Sequence, residues 1–513
     1  MDKFFLVEAG GQARPARLEP GLSLAQNLFI AGALADRPLC SGLGCCGLCR
    51  VRYVGDPPPP LPKELAKLSR SLLDRGYRLA CQRRPEPGDR VLVPARPVRA
   101  KSRVNPETDP EVVLGVDLGT TSLQWRLARH GRTLAEGSGP NPQLAGGAEV
   151  MSRLALARSP GGAARLRQVV LDRLRDMVSG LPVGPGLMVL AGNPAMTCLA
   201  LGLDCPGLMG APYRLDYLGQ AMADLGPGLP RTYVPPLWAP FVGADLSAGY
   251  AALVQGPASA ARPFLLADLG TNGEFVLAVS PDEIYAASLP MGPALEGVGM
   301  TQGRLAGPGA AVAFAASPVG LSPVLYGQNA PGGQPRGVSG TGYISLMAKL
   351  LSLGVLDRDG QFAQAASPLA GKVLAGLVRG PGQARLDVGG VSLWAEDVEA
   401  LLKVKAAFNA ALSLLLDAAK LPFSALKGLY LAGALGGHAG LDDLETLGFL
   451  PPGGQSRTRI AGNTSLDGAC LLGQRPEARD WLGGQGASVR LVEVAQDQNF
   501  KSLYIKAMRF EHV

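Results

Sequence analysis

The chain of 513 residues is long enough for two to four domains, and its 47% apolar content can supply several cores although only 5% of it is aromatic. A net charge of +7, from 49 basic and 42 acidic residues, comes without a basic stripe interleaved with aromatics, which argues against a nucleic-acid partner. No uncharged apolar run reaches the roughly 18–20 residues of a membrane helix, and the opening MDKFFLVEAGGQARP is too short and polar for a signal peptide, so the expected location is the cytoplasm.

Taken in chain order, FFLVEAG and ARLEP read as a hairpin, and SLAQNLFIAGA as a short amphipathic helix capped by Ser23. CSGLGCCGLC follows, then a strand at RVRYVG, a lone Cys81, and a further strand at DRVLVP. Five of the eight cysteines fall between positions 40 and 81. A reducing compartment disfavours disulfides, so clustered thiols point to a metal or redox site. A zinc knuckle would usually show two Cys-x-x-Cys pairs, and only Cys46 and Cys49 form one. Five residues separate Cys40 from Cys46, and 31 separate Cys49 from Cys81. Three thiolates in a glycine-rich loop plus one distant thiolate is the way ferredoxin-type proteins hold a [2Fe–2S] cluster. Ser41, Gly42, Gly44 and Gly47 are small enough to let backbone N–H groups turn toward sulfur. Cys40, Cys46, Cys49 and Cys81 are therefore the expected ligands and Cys45 the spare, with zinc or plain structural thiols as alternatives. Residues 1–95 resemble a ferredoxin domain of this spacing class. The basic residues Arg96, Arg99, Lys101 and Arg103 suit a solvated linker at 96–112, or a docking surface for an acidic partner.

Beyond the linker, VVLGVDLGTTSLQWRLA is an apolar strand running into Asp117, Gly119, Thr120 and Thr121 and out along a second strand. Backbone N–H groups and hydroxyls at such a tip donate to phosphate, and the aspartate can hold Mg²⁺ through water. The design recurs in FLLADLGTNGEFVLA with Asp268, Gly270, Thr271, Asn272, Gly273 and Glu274. Two such units about 150 residues apart imply a duplicated fold, with lobes at 113–258 and 259–513, closing on one nucleotide. GLYLAGALGGHAG then sets Gly433, Ala434, Gly436 and Gly437 after an apolar strand, where backbone can approach an adenosine. Neither a Walker P-loop nor a Rossmann G-x-G-x-x-G is present.

Two phosphate hairpins followed by an adenosine loop resemble the acetate and sugar kinase, heat-shock chaperone and actin superfamily. That resemblance implies an α/β multi-domain protein in which a β-grasp ferredoxin domain precedes a two-lobed actin-like ATPase, with ATP and Mg²⁺ in its cleft. The combination resembles the reductive activators of corrinoid-dependent methyltransferases nearly end to end. It is carried by CSGLGCCGLCRV, NPQLAGGAEVMSRL, AGNPAMTCLALG, FVGADLSAG, DLGTNGE, GPALEG, GVSGTG, KAAFNAALSLLLDAA, LAGALGGH and GNTSLDGA. The implied task is return of cobalt from Co(II) to Co(I) on a partner corrinoid protein, an uphill step from a typical cluster at roughly −400 mV. ATP would drive it by discriminating between two conformations. Asp117 and Asp268 would organise Mg²⁺ and water, with Thr120, Thr121, Thr271 and Asn272 on phosphate and Gly433, Gly436 and Gly437 along the adenosine. Asp245 or Glu296 would position the hydrolytic water, or else serve as helix caps. The chain, with three histidines and no Asp-x-His-x-x-Gly motif, carries no corrinoid of its own, and the electron donor is external. Pairing into a homodimer through the ATPase portion is also implied. The chain departs from the family pattern at Cys198, Ser339 and Thr341, and His438 reads as a loop residue. Cys198, Cys205 and Cys470 read as small core hydrophobes. The rival readings are a small-molecule kinase with a redox-sensing domain, an ATP-driven activator of a dehydratase, and a nucleotide-gated redox switch without turnover.

Overall fold

The computed structural model describes residues 3–9, 11–34, 39, 42, 44, 46–94, 106–147, 149–297, 299–380, 383–433 and 439–513. Its contacts divide the chain into two compact units, Met1–Ala248 with Ser465–Gly483, and Gly249–Thr464 with Gly484–Val513.

The first unit opens with five strands, β1 (Phe4–Ala9), β2 (Gln12–Arg17), β3 (Arg50–Tyr53), β4 (Tyr77–Leu79) and β5 (Arg90–Val93), in the order β2-β1-β5-β3-β4. β1 and β2 form the expected hairpin, with Phe4 opposite Arg17 and Ala9 opposite Gln12. Alternation along β1 buries Phe5 and Val7 and leaves Phe4 and Leu6 exposed. α1 (Leu24–Ile30) starts at Ser23, whose hydroxyl accepts from the Gln26 N–H while the Gln26 side chain takes the Ser23 N–H. The short helices α2 (Pro62–Lys67) and α3 (Arg70–Asp74) connect β3 to β4.

A six-stranded sheet follows, built from β6 (Thr108–Leu118), β7 (Ser122–Arg129), β8 (Arg132–Pro140), β9 (Gly184–Gly192), β10 (Ala221–Ala223) and β11 (Thr232–Val234) in the order β10-β11-β9-β6-β7-β8. β6 begins at Thr108, inside the segment read as linker; Arg96, Arg99, Lys101 and Arg103 lie outside the described residues. The helices of this part are α4 (Val150–Ala157), α5 (Gly162–Val178), α6 (Pro194–Leu201) and α7 (Ala244–Gln255). The cysteine-bearing sheet shares one apolar core with α4, α5 and α6, in which Leu28 and Phe29 join Leu156 and Leu166. Arg165 Nε donates to the Phe29 carbonyl at 3.1 Å, and its guanidinium lies over the Phe29 ring.

Two sequence expectations are corrected in this unit. Cys198 and Cys205 are buried as expected, yet they form a disulfide rather than separate apolar fillers. The Gly202 turn that ends α6 folds the chain back over the seven-residue separation, which composition does not report. Ser465–Gly483, assigned by sequence to the second lobe, packs instead with the first unit. There a β-carbon on Gly115 would lie 2.6 Å from Cys470 Sγ, and one on Gly473 2.2 Å from Val113, so small residues permit the close approach. Burial pushes the Cys470 thiol up to about 11, as suits an inert core residue.

The second unit repeats the pattern. Its strands are β12 (Phe264–Leu269), β13 (Asn272–Ser280), β14 (Glu283–Pro290), a hairpin of β15 (Ala311–Ser317) and β16 (Gly320–Leu325), a three-stranded sheet of β17 (Leu377–Gly380), β18 (Gln383–Val388) and β19 (Val391–Trp394), and then β20 (Gly428–Gly433), β21 (Thr458–Gly462) and β22 (Val489–Leu491). The main sheet runs β21-β20-β12-β13-β14-β22. Its central meander β12-β13-β14 with β20 parallel to β12 copies β6-β7-β8 with β9 parallel to β6. Of its helices, α8 (Gly340–Ser352), α9 (Pro368–Leu374) and α10 (Ala395–Ala418) feed one apolar core. α8 is capped by Ser339, whose hydroxyl accepts from Gly342 N and contacts Thr341 Oγ1 at 2.9 Å. Among the described residues, no helix is long and apolar enough to cross a membrane.

Candidate functional site

Three places carry candidate chemistry: the cysteine loop and the tips of the two duplicated hairpins. Gly42, Gly44 and Gly47 in the cysteine loop all have left-handed φ, at +93°, +78° and +69°, which only glycine adopts at little cost. Cys46 is half-buried, Cys49 is buried, and Cys81 is half-buried just after β4. The Leu48 N–H donates to Cys46 Sγ at 3.3 Å, and Gln82 Nε2 approaches Cys81 Sγ at 3.3 Å and the Gly42 carbonyl at 2.6 Å. Cys49 is hydrogen-bonded to Cys81; that bond, burial, and the nearby Cys81 and Cys46 sulfurs push the Cys49 thiol up.

An iron–sulfur group would need thiols and sulfur-directed donors of this kind. Thiols this close and this shielded resist ionising by themselves, and N–H donors aimed at sulfur suit thiolates bound to a cationic metal pair. Among the described residues no group of three or more His, Cys, Asp or Glu side chains is drawn together as a site for a metal ion. Cys40, the fourth expected ligand, and Cys45 lie outside the described residues.

In the first unit the β6–β7 turn holds Gly119, Thr120 and Thr121 between the facing pairs Leu118–Leu123 and Asp117–Gln124. Its backbone is held from three sides. Asn141 Nδ2 donates to the Gly119 carbonyl at 2.7 Å, and the Asn141 N–H donates to the Thr121 carbonyl at 2.9 Å. Arg153, fully buried on α4, reaches the Thr120 carbonyl at 2.5 Å and the Gly147 carbonyl at 3.0 Å. Asn193, the cap of α6, donates to Thr120 Oγ1 at 3.0 Å while accepting from the Met196 N–H. With its carbonyls occupied, the turn keeps the shape that a loop donating N–H and O–H to an anion requires. Asp117 accepts from Ser465 Oγ at 3.2 Å. Asp245 is in the first turn of α7, where its carboxylate accepts from Leu246 N, and a β-carbon on Gly243 would lie 2.6 Å from it.

The second hairpin pairs Asp268 with Glu274 and Leu269 with Gly273, leaving Gly270 and Thr271 at the tip and Asn272 at the start of β13. Glu296, in the 3-10 turn Pro293–Glu296, accepts from the Thr271 N–H at 3.0 Å and from Thr271 Oγ1 at 3.1 Å. The Thr271 carbonyl accepts from Met291 N and Gly292 N. Glu296 thus holds this tip through its N–H and hydroxyl, whereas Asn141 and Arg153 hold the first through its carbonyls. At the end of β20, Gly433 faces Leu269 with φ +79°, and a β-carbon there would lie 2.2 Å from Asp268 Oδ1. Ala434, Gly436, Gly437 and His438 lie outside the described residues.

Asn141, Arg153, Asn193 and Ser465 had no individual role in the sequence reading. Two of them carried a local signal, since Asn141-Pro142 and Asn193-Pro194 are each a side-chain cap followed by proline at the first helical position. The contacts of Arg153 and Ser465 span 33 and 348 residues, which no local pattern reports.

Comparison with known proteins agrees with this architecture. The family model described as "RACo middle region" matches residues 112–254, and the one described as "C-terminal domain of RACo the ASKHA domain" matches residues 262–513. The chain is 26% identical over 436 residues to "Corrinoid activation enzyme RamQ" of Eubacterium limosum, covering 79% of this chain and 71% of that protein. It is 30% identical over 228 residues to "[Co(II) methylated amine-specific corrinoid protein] reductase" of Methanosarcina barkeri, covering 40% of this chain and 38% of that one. The solved structure named "Reductive activator for corrinoid,iron-sulfur protein" shares the fold with a TM-score of 0.68 at 23% identity, over 99% of this chain and 98% of that chain.

Proposed function

The chain belongs to the reductive activators of corrinoid proteins, and from that premise we propose that it uses ATP to return Co(II) to Co(I) on a partner corrinoid protein. The reading rests most on one observation: the cysteine module shares its core with the unit that carries the first phosphate hairpin. In that core Gln26 Nε2 of α1 donates to the Gly146 carbonyl at 3.4 Å, at the end of the 3-10 turn Pro142–Ala145 that begins at Asn141. Asn141 in turn holds the tip at Gly119 and Thr121. The α1 helix of the cysteine module is thereby linked to the nucleotide loop through Gly146 and Asn141.

A [2Fe–2S] group on Cys40, Cys46, Cys49 and Cys81 would supply one-electron chemistry. Around it the chain supplies donors to sulfur, from Leu48 N and Gln82 Nε2, which stabilise the more negative state. Asp117 and Asp268 organise Mg²⁺ through water, and the tip residues Gly119, Thr120, Thr121, Gly270, Asn272 and Gly273 donate to phosphate. Gly433, Gly436 and Gly437 line the adenosine. Glu296 takes the N–H and hydroxyl of Thr271 and so fixes the shape of the tip beside the nucleotide, and Asp245, at a helix N-terminus, orients the hydrolytic water. One electron arrives from an external low-potential donor and leaves to Co(II), so each activation consumes one electron and yields one Co(I). The nucleotide contributes only through unequal affinity for two states of the protein. A homodimer in the cytoplasm is the working form.

The test is an anaerobic visible spectrum of a Co(II) corrinoid protein mixed with this protein, a reductant and either Mg-ATP or a non-hydrolysable analogue. Conversion to Co(I) with ATP alone, abolished by Cys46→Ala, is the expected outcome. Persistence of Co(II) with every corrinoid partner while the iron–sulfur group reduces normally refutes the activator reading. Hydrolysis stimulated by a sugar or an acid would point to the kinase instead.

A further inference from the structure

The charge of the chain is unevenly distributed. Residues 1–105 hold 18 of the 49 Lys and Arg but only 9 of the 42 Asp and Glu, so the remaining four-fifths of the chain is slightly acidic. Among the described residues of the cysteine module, one face carries part of this excess. Of the side chains of α2, Lys63, Leu65 and Lys67 are exposed, with Leu65 60% accessible, and Arg70 continues the face on α3. The acidic residue of α2, Glu64, points the other way. Burial alone would raise its carboxyl, but the Arg83 guanidinium and the Leu61 and Leu79 N–H groups outweigh that and hold it below the usual carboxylate range. What α2 shows to solvent is therefore positive charge around an apolar centre.

This face borders the cysteine loop. A β-carbon on Gly44 would lie 3.1 Å from Lys63 Cδ, and one on Gly47 would lie 3.6 Å from Lys67 Cγ and Cε. The lysine stems thus cover Gly44 and Gly47, both buried, while their ammonium groups belong to exposed side chains. The approach to α2 is stiff: four prolines at 57–60 precede it, with the Pro58 carbonyl accepting from Arg78 Nε at 2.7 Å and the Pro59 carbonyl from Arg83 Nη2 at 2.5 Å. A rigid, basic, apolar-centred surface beside a redox loop has the features of a transient electron-transfer contact, where opposite charge speeds encounter and a small apolar patch sets the pose.

We infer that the exposed face of α2, formed by Lys63, Leu65 and Lys67 with Arg70, docks an acidic one-electron carrier protein that reduces this chain's cysteine-bound centre. The inference rests on the iron–sulfur reading above. The carrier gives up one electron and the centre on Cys40, Cys46, Cys49 and Cys81 takes it, with no bond made or broken. The carrier's carboxylates face the two lysines.

The experiment uses the full-length protein, the Lys63→Glu/Lys67→Glu double variant, and pre-reduced plant-type ferredoxin as the acidic carrier. Stopped-flow bleaching of the visible absorption by ferredoxin should slow at least tenfold in the variant at low ionic strength, the low end of what charge steering yields. The wild-type rate should fall with salt and approach that of the variant once the screening length drops to about 8 Å at 0.15 M. Bleaching by the methyl viologen radical cation should not slow, which shows that the centre itself is intact. Carbodiimide cross-linking should join ferredoxin carboxylates to Lys63 or Lys67. Equal ferredoxin rates in the two proteins, or cross-links only elsewhere, overturn the inference. So does a variant that slows Co(II) reduction while ferredoxin bleaching is unchanged, because the face would then serve the corrinoid protein. If the purified protein shows no iron–sulfur absorption, the cluster reading fails by itself, and the cross-linking, which needs no cluster, still decides the surface.

Discussion

Replacing Gly433 by alanine tests a close approach of β20 to the second hairpin. The new β-carbon would lie 2.2 Å from Asp268 Oδ1, 2.8 Å from the Leu269 carbonyl oxygen and 3.0 Å from Leu269 N. Backbone atoms of a central strand cannot give way, so the Asp268 carboxylate has to move. The residue would also sit at φ +79°, which costs a side chain about 1–2 kcal/mol. Crowding a packed site adds about 1–3 kcal/mol, for a total of about 2–5 kcal/mol. Gly453→Ala provides the control, since Gly453 has φ +75° but nothing within 4 Å of its β-carbon position, and should cost only the strain. Denaturant unfolding of both variants, with titration of Mg-ATP into each, separates the two contributions. Gly433→Ala should be the less stable by about 1–3 kcal/mol. It should also bind Mg-ATP at least tenfold more weakly, about 1.4 kcal/mol, because Asp268 is displaced. Equal destabilisation of the two variants would refute the steric argument. Lower stability with unchanged Mg-ATP affinity would remove Asp268 from the nucleotide site.

Glu296→Ala should lower Mg-ATP affinity by releasing Thr271, whereas Glu296→Gln, which keeps an acceptor oxygen, should bind nearly normally; normal binding with lost hydrolysis in Glu296→Gln would show that the charge itself acts on water. Lys405 is buried on α10 and donates to the carbonyls of Ala507, Arg509 and Glu511. Burial draws it from 10.5 down to about 8, against the opposing pull of Glu511. Below pH 8 both folded and unfolded chains hold the proton and the folded state bears the full penalty; between pH 8 and 10.5 only the unfolded chain holds it, so stability should rise across that window by up to about 3 kcal/mol. The rise, measured as the difference between wild type and Lys405→Met in denaturant unfolding at pH 7.5 and 10.5, should be absent if Lys405 is neutral throughout. Thiol titration of the denatured protein without reductant, after removal of any iron, should find six reactive thiols of the eight cysteines; eight would contradict the Cys198–Cys205 bond.

Much of the fold was legible because its signals are local. The strand–DLGT–strand design appears twice, and β6–β7 and β12–β13 form with the aspartates two residues before the tip glycines, as the pattern requires. Ser23 announced α1, and the glycines around the cysteines take the left-handed turns their density suggested. The Cys46-x-x-Cys49 pair was legible because it is set by a few consecutive residues, whereas the approach of Cys81 to Cys49 needs the folded sheet.

Tertiary structure decided what depends on distant chain segments. Arg153 is silent in the sequence, since a buried arginine is recognised only by the carbonyls that surround it. The return of Ser465–Gly483 to the first unit is fixed by glycines 115 and 473, whose missing side chains matter only once a second segment lies against them. Cys198 and Cys205 read as apolar filler until the turn after α6 brought them face to face. The basic face of α2 was hidden for a similar reason. Glu64 cancels a lysine in any count along the sequence, and only its burial against Arg83 leaves Lys63 and Lys67 to define the surface.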